Sequence, residues 1–251
     1  MIDLAQVSPW FWAVAPLAVI MGYTVFGLTG FGATALTVPI LAHFLPIAYL
    51  VPVMALLDLG SSILVGTSGR RHISMPELRN LVPFMLVGFV VGATVLVGVP
   101  DQWLRIALGV FAAIVGLYSI LNPTLYGTIS RLWCVPAGLA GGAIATIFGA
   151  GGPIYATYLS GRLRDKDELR STVSTLISLS AFTRAIIYAV SGLLLHLSIF
   201  IGMLALAPFA WIGLAIGRRI HVGLTQAQMR RVVGGVMVLT GASLLLRVAL
   251  P

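Results

Sequence analysis

Two glycine-rich segments contain the residues of this chain that are best suited to bind a ligand. They are residues 27–34 (Gly-Leu-Thr-Gly-Phe-Gly-Ala-Thr) and 147–155 (Ile-Phe-Gly-Ala-Gly-Gly-Pro-Ile-Tyr), each inside a long apolar run without charges. The glycines interrupt a helix, and Pro153 suits the first turn of the next helix, which does not use the missing N–H. A helix that begins again in an apolar medium presents free N–H groups with a partial positive charge, and these attract an anion. One such break in each half of the chain is typical of a transporter with a central binding site.

Backbone amides at the two breaks are the main predicted donors to this anion. Non-helical backbone persists at that depth only where it is buried in protein or lines a cavity, so the two breaks should face each other. The alternative is that the glycines only permit close packing of helices, but their recurrence at matching places favours binding. The predicted substrate-binding residues are Gly30, Phe31, Gly32, Ala33, Thr34, Gly149, Ala150, Gly151, Gly152, Tyr155 and Arg184. Further candidate hydroxyls are those of Thr29, Thr157, Tyr158, Ser174, Ser178 and Ser180.

Arg184 and Asp58 are the charged residues that we expect deep in the membrane. Arg184 falls near the middle of an apolar segment, where a charge is costly and usually faces a cavity or a partner. Its planar, permanently charged guanidinium suits carboxylate, sulfite or sulfonate groups. Two alternatives stay open, since Arg184 could pair with Asp58 or could extend toward the membrane surface. Asp58 in turn could pair with Arg184, bind a proton in a coupling step, or hydrogen-bond Ser61 and Ser62.

The composition indicates the kind of protein that carries these residues. Of 251 residues, 59% are hydrophobic and 9% are charged, with a mean hydropathy of +1.05, whereas a soluble domain has about 25% charged residues. Apolar runs of about 20 residues recur along the chain, which predicts an all-α, polytopic membrane protein. Arginines between these runs account for the net charge of +8 and set the topology, so no nucleic-acid partner is predicted. With Cys134 as the single cysteine, and no nucleophile beside a base or metal-ligand cluster, we expect neither an enzyme nor a cofactor.

The chain is predicted to consist of two repeats that together form one membrane domain. An offset of 125 residues pairs Pro83 with Pro208, and an offset of 119 pairs Gly30 with Gly149. Each broken element could cross the membrane or re-enter it as a hairpin, and the short second arms favour re-entry. The first repeat, 1–125, has a broken helix at 10–45 (arms 10–28 and 33–45) and helices at 47–67, 76–98 and 102–121. The second repeat, 126–251, has a broken helix at 130–161 and helices at 171–192, 197–217 and 226–248.

Basic residues predict how these segments are oriented. If each half has five segments, one face holds most of the arginines, and the other holds Arg105 and Arg247. Positive residues collect in the cytoplasm, and an odd number of segments turns the second half upside down. We therefore expect inverted repeats with both termini outside. The crowded face is predicted to hold Arg70, Arg71, Arg79, Arg131, Arg162, Arg164, Lys166, Arg170, Arg218, Arg219, Arg230 and Arg231.

Two local predictions concern the cytoplasmic loops. Ser74, followed by Glu77 three residues later, has the spacing of a capping box at a helix start. Residues 162–170 form a strongly charged segment, which we expect to be a solvated loop that determines topology.

The two broken motifs resemble the TauE/SafE family of sulfite-exporter-like membrane proteins. The resemblance lies in residues 30–32 (Gly-Phe-Gly) with Pro39, and in residues 149–153 (Gly-Ala-Gly-Gly-Pro). It implies transport of small anions, often sulfur-containing, such as sulfite, sulfoacetate and related organosulfonates, with both motifs at the central site. Tyr158 stands where the first half has Pro39, which makes the second arm different.

The function expected from the sequence is export of such an anion across the cytoplasmic membrane by alternating access. The interior of a cell is negative, so an anion that leaves gains roughly 2.3 kcal/mol per charge per 100 mV. An anion channel, or a transporter of another carboxylate or inorganic anion, is the alternative. The expected partners are the anion and membrane lipids, with protons as a candidate coupling ion and a homodimer left open.

Overall fold

The computed structural model describes residues 9–30, 32–65, 73–121, 129–219 and 226–249. This part of the chain is helical and contains no strand, and seven of its helices are long and apolar enough to cross a membrane. The prediction of an all-α, polytopic membrane protein is confirmed. The helices are α1 (Pro9–Thr29), α2 (Ala33–Leu41), α3 (Ile47–Val65), α4 (Met75–Gly98), α5 (Asp101–Leu121), α6 (Cys134–Phe148), α7 (Gly152–Ser160), α8 (Lys166–Val190), α9 (Leu197–Arg219) and α10 (Gln226–Ala249).

Helices α1 and α2 form an antiparallel hairpin. The Thr37 hydroxyl of α2 lies 3.3 Å from the Ala18 carbonyl of α1 and bonds it. The rings of Phe11 and Phe44 are 6.0 Å apart, near the open end of the hairpin. Because residues later in α2 meet residues earlier in α1, α2 runs back along α1 and does not continue in the direction of α1.

Helices α6 and α7 form a second hairpin of the same kind. The ring of Tyr155, in the first turn of α7, packs against Gly141 in the middle of α6. At the open end, Arg162 donates to the Ile129 carbonyl over 3.2 Å. Pro153 lies in the first turn of α7, where its missing N–H costs nothing.

The two hairpins enter from opposite ends of the bundle. At one end, Asp101 accepts a hydrogen bond from the Ile47 amide just after α2, over 2.8 Å. At the other end, Glu77 accepts bonds from Arg162 just after α7. Helix α4 separates these two ends, and its 24 residues span about 36 Å.

The three most extensive helix contacts are the same when the two halves of the chain are exchanged. The most extensive pairs are α5 with α10, α4 with α6, and α1 with α9. If α1 is exchanged with α6, and α4 with α9, the α4–α6 pair becomes the α9–α1 pair. The α5–α10 pair stays the same, because these two helices are exchanged with each other. A duplicated chain produces this pattern. The division into repeats at residue 125, the inverted relation of the repeats and the external termini stay predictions.

Two local expectations from the sequence were wrong. Helix α8 begins at Lys166, inside the predicted loop 162–170, because the Asp165 carboxylate caps it by accepting from the amides of Asp167 and Glu168, each over 2.8 Å. Ser74 does precede α4, but its side chain makes no capping bond. The Glu77 carboxylate that should complete the capping box is buried among other partners. The predicted topology residues Arg70 and Arg71 lie outside the described residues.

Candidate functional site

The structure brings the two glycine breaks together. Gly30, Gly32 and Gly149 have φ angles of 82°, 97° and 71°, in the left-handed region that favours glycine. A Cβ atom added to Gly149, at the end of α6, would overlap the side chain of Thr34, in the first turn of α2. A Cβ atom on Gly30 would instead meet the Ser174 hydroxyl of α8. The hairpin tips are therefore in direct contact, with α8 beside them.

The contact lies about halfway through the bundle. Helices α2 and α7 each have 9 residues and extend about 13 Å from the tips to opposite ends. Asp58 lies beside the tips. It is about 16 Å along the axis of α3 from Ile47, the first residue of that helix. The hydrocarbon core of a bilayer is about 30 Å thick. The site thus lies near the middle of a helical bundle whose long helices have the length needed to cross a bilayer.

Arg184 and Asp58 form an ion pair at this depth. Arg184 Nη2 is 3.2 Å from Asp58 Oδ2, and the two residues are 2% and 3% exposed. Two hydroxyls also donate to Asp58, from Thr34 over 2.6 Å and from Tyr23 over 2.9 Å. The carboxylate therefore joins α1, α2, α3 and α8. Of the alternatives left open by the sequence, the Arg184–Asp58 pair is confirmed, and extension of Arg184 toward the membrane surface was wrong.

The other side of the Arg184 guanidinium contacts the end of α6. Nη1 donates to the Ala145 carbonyl over 3.1 Å, and the neighbouring Tyr188 hydroxyl donates to the Thr146 carbonyl over 2.5 Å. The Ala145 carbonyl also accepts from the Gly149 amide at the break. The last carbonyls of a helix carry a partial negative charge, so donors from α8 stabilise the end of α6. Arg184 Nε is buried and has no hydrogen-bond partner. The guanidinium is thus fixed by two of its nitrogens, and the third is available.

A cavity of about 20 Å³ lies between the tips. This volume suffices for about one water molecule. Two buried side-chain atoms without a partner belong to residues that line it, namely the Tyr155 hydroxyl and Arg184 Nε. The lining includes most of the predicted binding residues: Gly32, Ala33, Thr34, Gly149, Ala150, Gly151, Gly152, Tyr155 and Arg184, together with Asp58 and Ser180.

Backbone amides supply further donors at the cavity. The first hydrogen bond of α2 runs from the Leu36 amide to the Gly32 carbonyl. The amides of residues 33–35 precede it, so they have no partner within the helix. At the start of α7, Pro153 has no N–H, and the amides of Ile154 and Tyr155 both donate to the Gly151 carbonyl. The Gly152 amide is therefore the one at the start of α7 without a partner in that helix. Both half-helices therefore direct the positive ends of their dipoles at one cavity.

Some predicted residues lie elsewhere. Gly30 is at the first tip but outside the cavity lining, and Phe31 lies outside the described residues. Thr157 donates to the Pro153 carbonyl of its own helix over 2.8 Å. The Tyr158 hydroxyl was wrongly expected at the anion site, because it faces α4 and donates to Glu77 over 2.7 Å.

Thr29 and two of the candidate serines also lie away from the cavity lining. The Thr29 hydroxyl donates to the Val25 carbonyl over 2.8 Å, and Ser178 donates to the Ser174 carbonyl over 2.9 Å. These bonds to the preceding turn are the common alternative for hydroxyls in membrane helices. Ser180 is the candidate serine that the cavity lining includes.

Two tyrosines of the site were missed in the sequence. Tyr23 and Tyr188 are fully buried around the ion pair, whereas tyrosines in a membrane protein are commonly placed at its interfaces. A buried carboxylate such as Asp58 requires donors from other helices, so their existence could have been expected. Which residues supply these donors depends on how the helices pack. The positions of Tyr23 and Tyr188 in the sequence do not reveal that packing.

These features define a class of protein. Two re-entrant hairpins from opposite ends, which meet around a charged pair in the middle of an apolar bundle, are the architecture of a polytopic membrane transporter. Residues 14–244 match the sequence model of the family described as "Sulfite exporter TauE/SafE". The chain belongs to the TauE/SafE family of membrane transporters, as its motifs predicted.

Comparison with individual proteins agrees with this assignment. The chain is 25% identical over 190 residues to the "Probable inner membrane transporter protein TsaS" of Comamonas testosteroni. The alignment covers 75% of this chain and 80% of that protein. No solved structure matches the chain.

Proposed function

We propose that this protein exports a small sulfur-containing anion, such as sulfite, sulfoacetate or a similar organosulfonate, across the cytoplasmic membrane. The observation that carries the proposal is the position of Arg184. Its guanidinium is 2% exposed, lies beside a cavity between two half-helix N-termini, and keeps Nε without a partner. A buried cation with a free donor, surrounded by other donors, is suited to an oxyanion.

The proposed substrate fits the donors around the cavity. A sulfite or sulfonate group has three oxygens that can accept hydrogen bonds from several directions. The amides at the start of α2 and α7, the Tyr155 hydroxyl and Arg184 converge from three helices. The family description supports sulfite as a model substrate.

Alternating access is proposed because of the size of the cavity. A cavity of about 20 Å³ holds about one water molecule, so it is too small for an anion of four or more heavy atoms. The hairpin tips must separate to admit the substrate. A carrier that opens to one side at a time meets this requirement, whereas a channel needs a continuous pore.

Export is the proposed direction for a cell with a negative interior. An anion that leaves such a cell gains free energy from the membrane potential, about 2.3 kcal/mol per charge per 100 mV.

Flux in proteoliposomes tests the role of Arg184. Sulfite, sulfoacetate, methanesulfonate and acetate are loaded in turn, and their efflux is followed with Arg184→Gln and with Arg184→Gln/Asp58→Asn. The double variant is included because it leaves no buried charge unpaired. Loss of one or two charge-assisted bonds of about 1.5–3 kcal/mol each should reduce sulfur-anion flux by about 100-fold in both variants. Arg218→Gln, at the exposed end of α9, is the matched control and should transport normally.

Several results would contradict the proposal. Full flux in the double variant would remove Arg184 from the binding site. Transport of acetate but of no sulfur anion would show that the substrate is a carboxylate and not a sulfur-containing anion. Single-channel currents far above the turnover of a carrier would favour the channel.

A further inference from the structure

We infer that the protein moves each monovalent anion together with one proton, which Asp58 carries, so that a cycle with such a substrate transfers no net charge. This inference rests on the proposed function. It names the coupling ion and its carrier, and it makes the outward concentration gradient of the anion the driving force for export, because a cycle without net charge gains nothing from the membrane potential.

The charges of the described site balance before an anion binds. Arg184 and Asp58 neutralise each other in a place where both are almost fully buried. A monovalent anion that entered beside them would leave one uncompensated negative charge at mid-membrane depth, which is strongly unfavourable. A proton bound together with the anion restores neutrality.

The substrate and the Asp58 carboxylate would bind the same edge of the Arg184 guanidinium. A guanidinium binds an oxyanion best through two parallel N–H groups. Arg162 uses the same edge of its guanidinium in this protein, since its Nε and Nη2 both donate to one oxygen, Glu77 Oε1, over 3.1 and 3.0 Å. The same edge of Arg184 has Nε without a partner and Nη2 on Asp58. A substrate that takes this edge with two bonds must displace the Asp58 carboxylate.

Protonation of Asp58 weakens its bond to Arg184, so that the substrate can displace it. A neutral carboxylic acid attracts Arg184 less than a carboxylate does. The hydroxyls of Thr34 and Tyr23, 2.6 and 2.9 Å from its oxygens, can satisfy the acid, because a hydroxyl both donates and accepts. The proton passes from water on the loading side to an Asp58 oxygen while the anion binds Arg184. On the other side the anion leaves, the proton returns to water, and the Arg184–Asp58 pair forms again.

Few other groups near Asp58 can exchange a proton. The titratable and charged side chains that face it are Tyr23 of α1, Arg184 and Tyr188 of α8, and Tyr155 of α7, which lines the same cavity. Helix α2 contributes Thr34, which does not titrate. Helices α5, α6 and α9 also pack on α3, but their described titratable side chains are in their first or last five residues, and the 3₁₀ helix Leu193–Leu195 has none. Asp58 is the carboxylate at the described site.

The test uses the wild-type protein in proteoliposomes with labelled methanesulfonate, which stays ionised across the working pH range. In one arm a pH gradient is imposed, with potassium equal on both sides and valinomycin present to hold the potential at zero. We expect methanesulfonate to accumulate on the alkaline side, by about tenfold per pH unit. In the second arm a potential of 100 mV is imposed without a pH gradient. We expect no accumulation there, whereas an uncoupled anion would accumulate about 50-fold on the positive side.

The outcomes separate this inference from the proposed function. Accumulation that follows the potential and ignores the pH gradient would overturn the inference alone, because the anion would still be transported. No movement of methanesulfonate in either arm would overturn both.

The Asp58→Asn variant identifies the carrier of the proton. Asparagine has the shape of the neutral acid and cannot release a proton. We expect the variant to exchange labelled for unlabelled methanesulfonate and to lose the response to the pH gradient. Accumulation by this variant equal to that of the wild type would show that another group carries the proton. If the variant does not fold, the two arms with the wild-type protein still decide whether a proton is coupled.

Discussion

Replacement of Gly149 by alanine should weaken the contact between the two hairpin tips, and its cost can be worked out from the structure. Gly149 has a φ angle of 71°, which costs a residue with a Cβ atom about 1–2 kcal/mol. Its Cβ atom would also overlap the Thr34 side chain across the interface. Overpacking in a close-packed interior costs about 1–3 kcal/mol. The sum predicts a loss of about 2–5 kcal/mol in the free energy of unfolding.

Two further variants separate the backbone contribution from the contact. Gly32→Ala is the matched control, because Gly32 has a φ angle of 97° but its Cβ atom would come no closer than 3.8 Å to the Val25 side chain. This change should cost only about 1–2 kcal/mol. Thr34→Ser removes the methyl group that Gly149→Ala would strike and keeps the hydroxyl that donates to Asp58. Combined with Gly149→Ala, it should recover about 1–3 kcal/mol.

The free energies are measured by reversible unfolding of the purified protein in mixed micelles, followed by tryptophan fluorescence. The double-mutant cycle between Gly149 and Thr34 isolates the contact energy. Equal losses for Gly149→Ala and Gly32→Ala, or no recovery with Thr34→Ser, would show that the hairpin tips do not touch.

Other predictions concern the parts that hold the hairpins in place. Glu77→Gln should lower the free energy of unfolding by about 1–3 kcal/mol, because the Glu77 carboxylate is 4% exposed and accepts two bonds from Arg162. The Glu77→Gln/Arg162→Gln variant should regain part of this loss in the same unfolding assay, and a further loss would argue against the pair. Gly234→Ala should destabilise the packing of α10 on α5 by about 1–3 kcal/mol, since the new Cβ atom would press on the Gly116 carbonyl. Gly235→Ala, at an open position one residue later, should stabilise α10 by up to about 1 kcal/mol, and equal effects of the two alanines would contradict the α5–α10 interface.

The breaks in the helices could be predicted because their cause is local. Glycine at positions 30 and 149 tolerates the left-handed backbone that ends each first arm, and Pro153 fits only the start of a helix. The observed second arms begin at Ala33 and Gly152, within a residue of the predicted positions. Local backbone chemistry therefore sufficed for the elements that form the site.

The partners of the charged residues could not be settled in the same way. Arg184 and Asp58 are 126 residues apart, and the sequence allowed a pair, two separate roles or placement of Arg184 at the surface. Packing of α3 against α8 decides between these options. Tyr158 was misplaced for the same reason, because the side of α7 on which it lies faces Glu77 of α4.

The start of α8 was a different kind of error, because the signal was present in the sequence. Asp165 is a good N-cap residue, and Asp167 and Glu168 follow it in the first turn, where negative charge is favourable. The density of charge in residues 162–170 suggested a solvated loop, but the same charges begin a helix. Capping by Asp165, and not the density of charge, decides the structure of this segment.

The central claim is that an anion binds between the two hairpin tips beside Arg184. A structure of the protein with selenite, the heavier analogue of sulfite, recorded at the selenium absorption edge, tests it most directly. The account predicts an anomalous peak within hydrogen-bond distance of Arg184 and of the amides at the start of α2 and α7. A selenium peak elsewhere in the bundle, with these donors bonded only to protein, would contradict it.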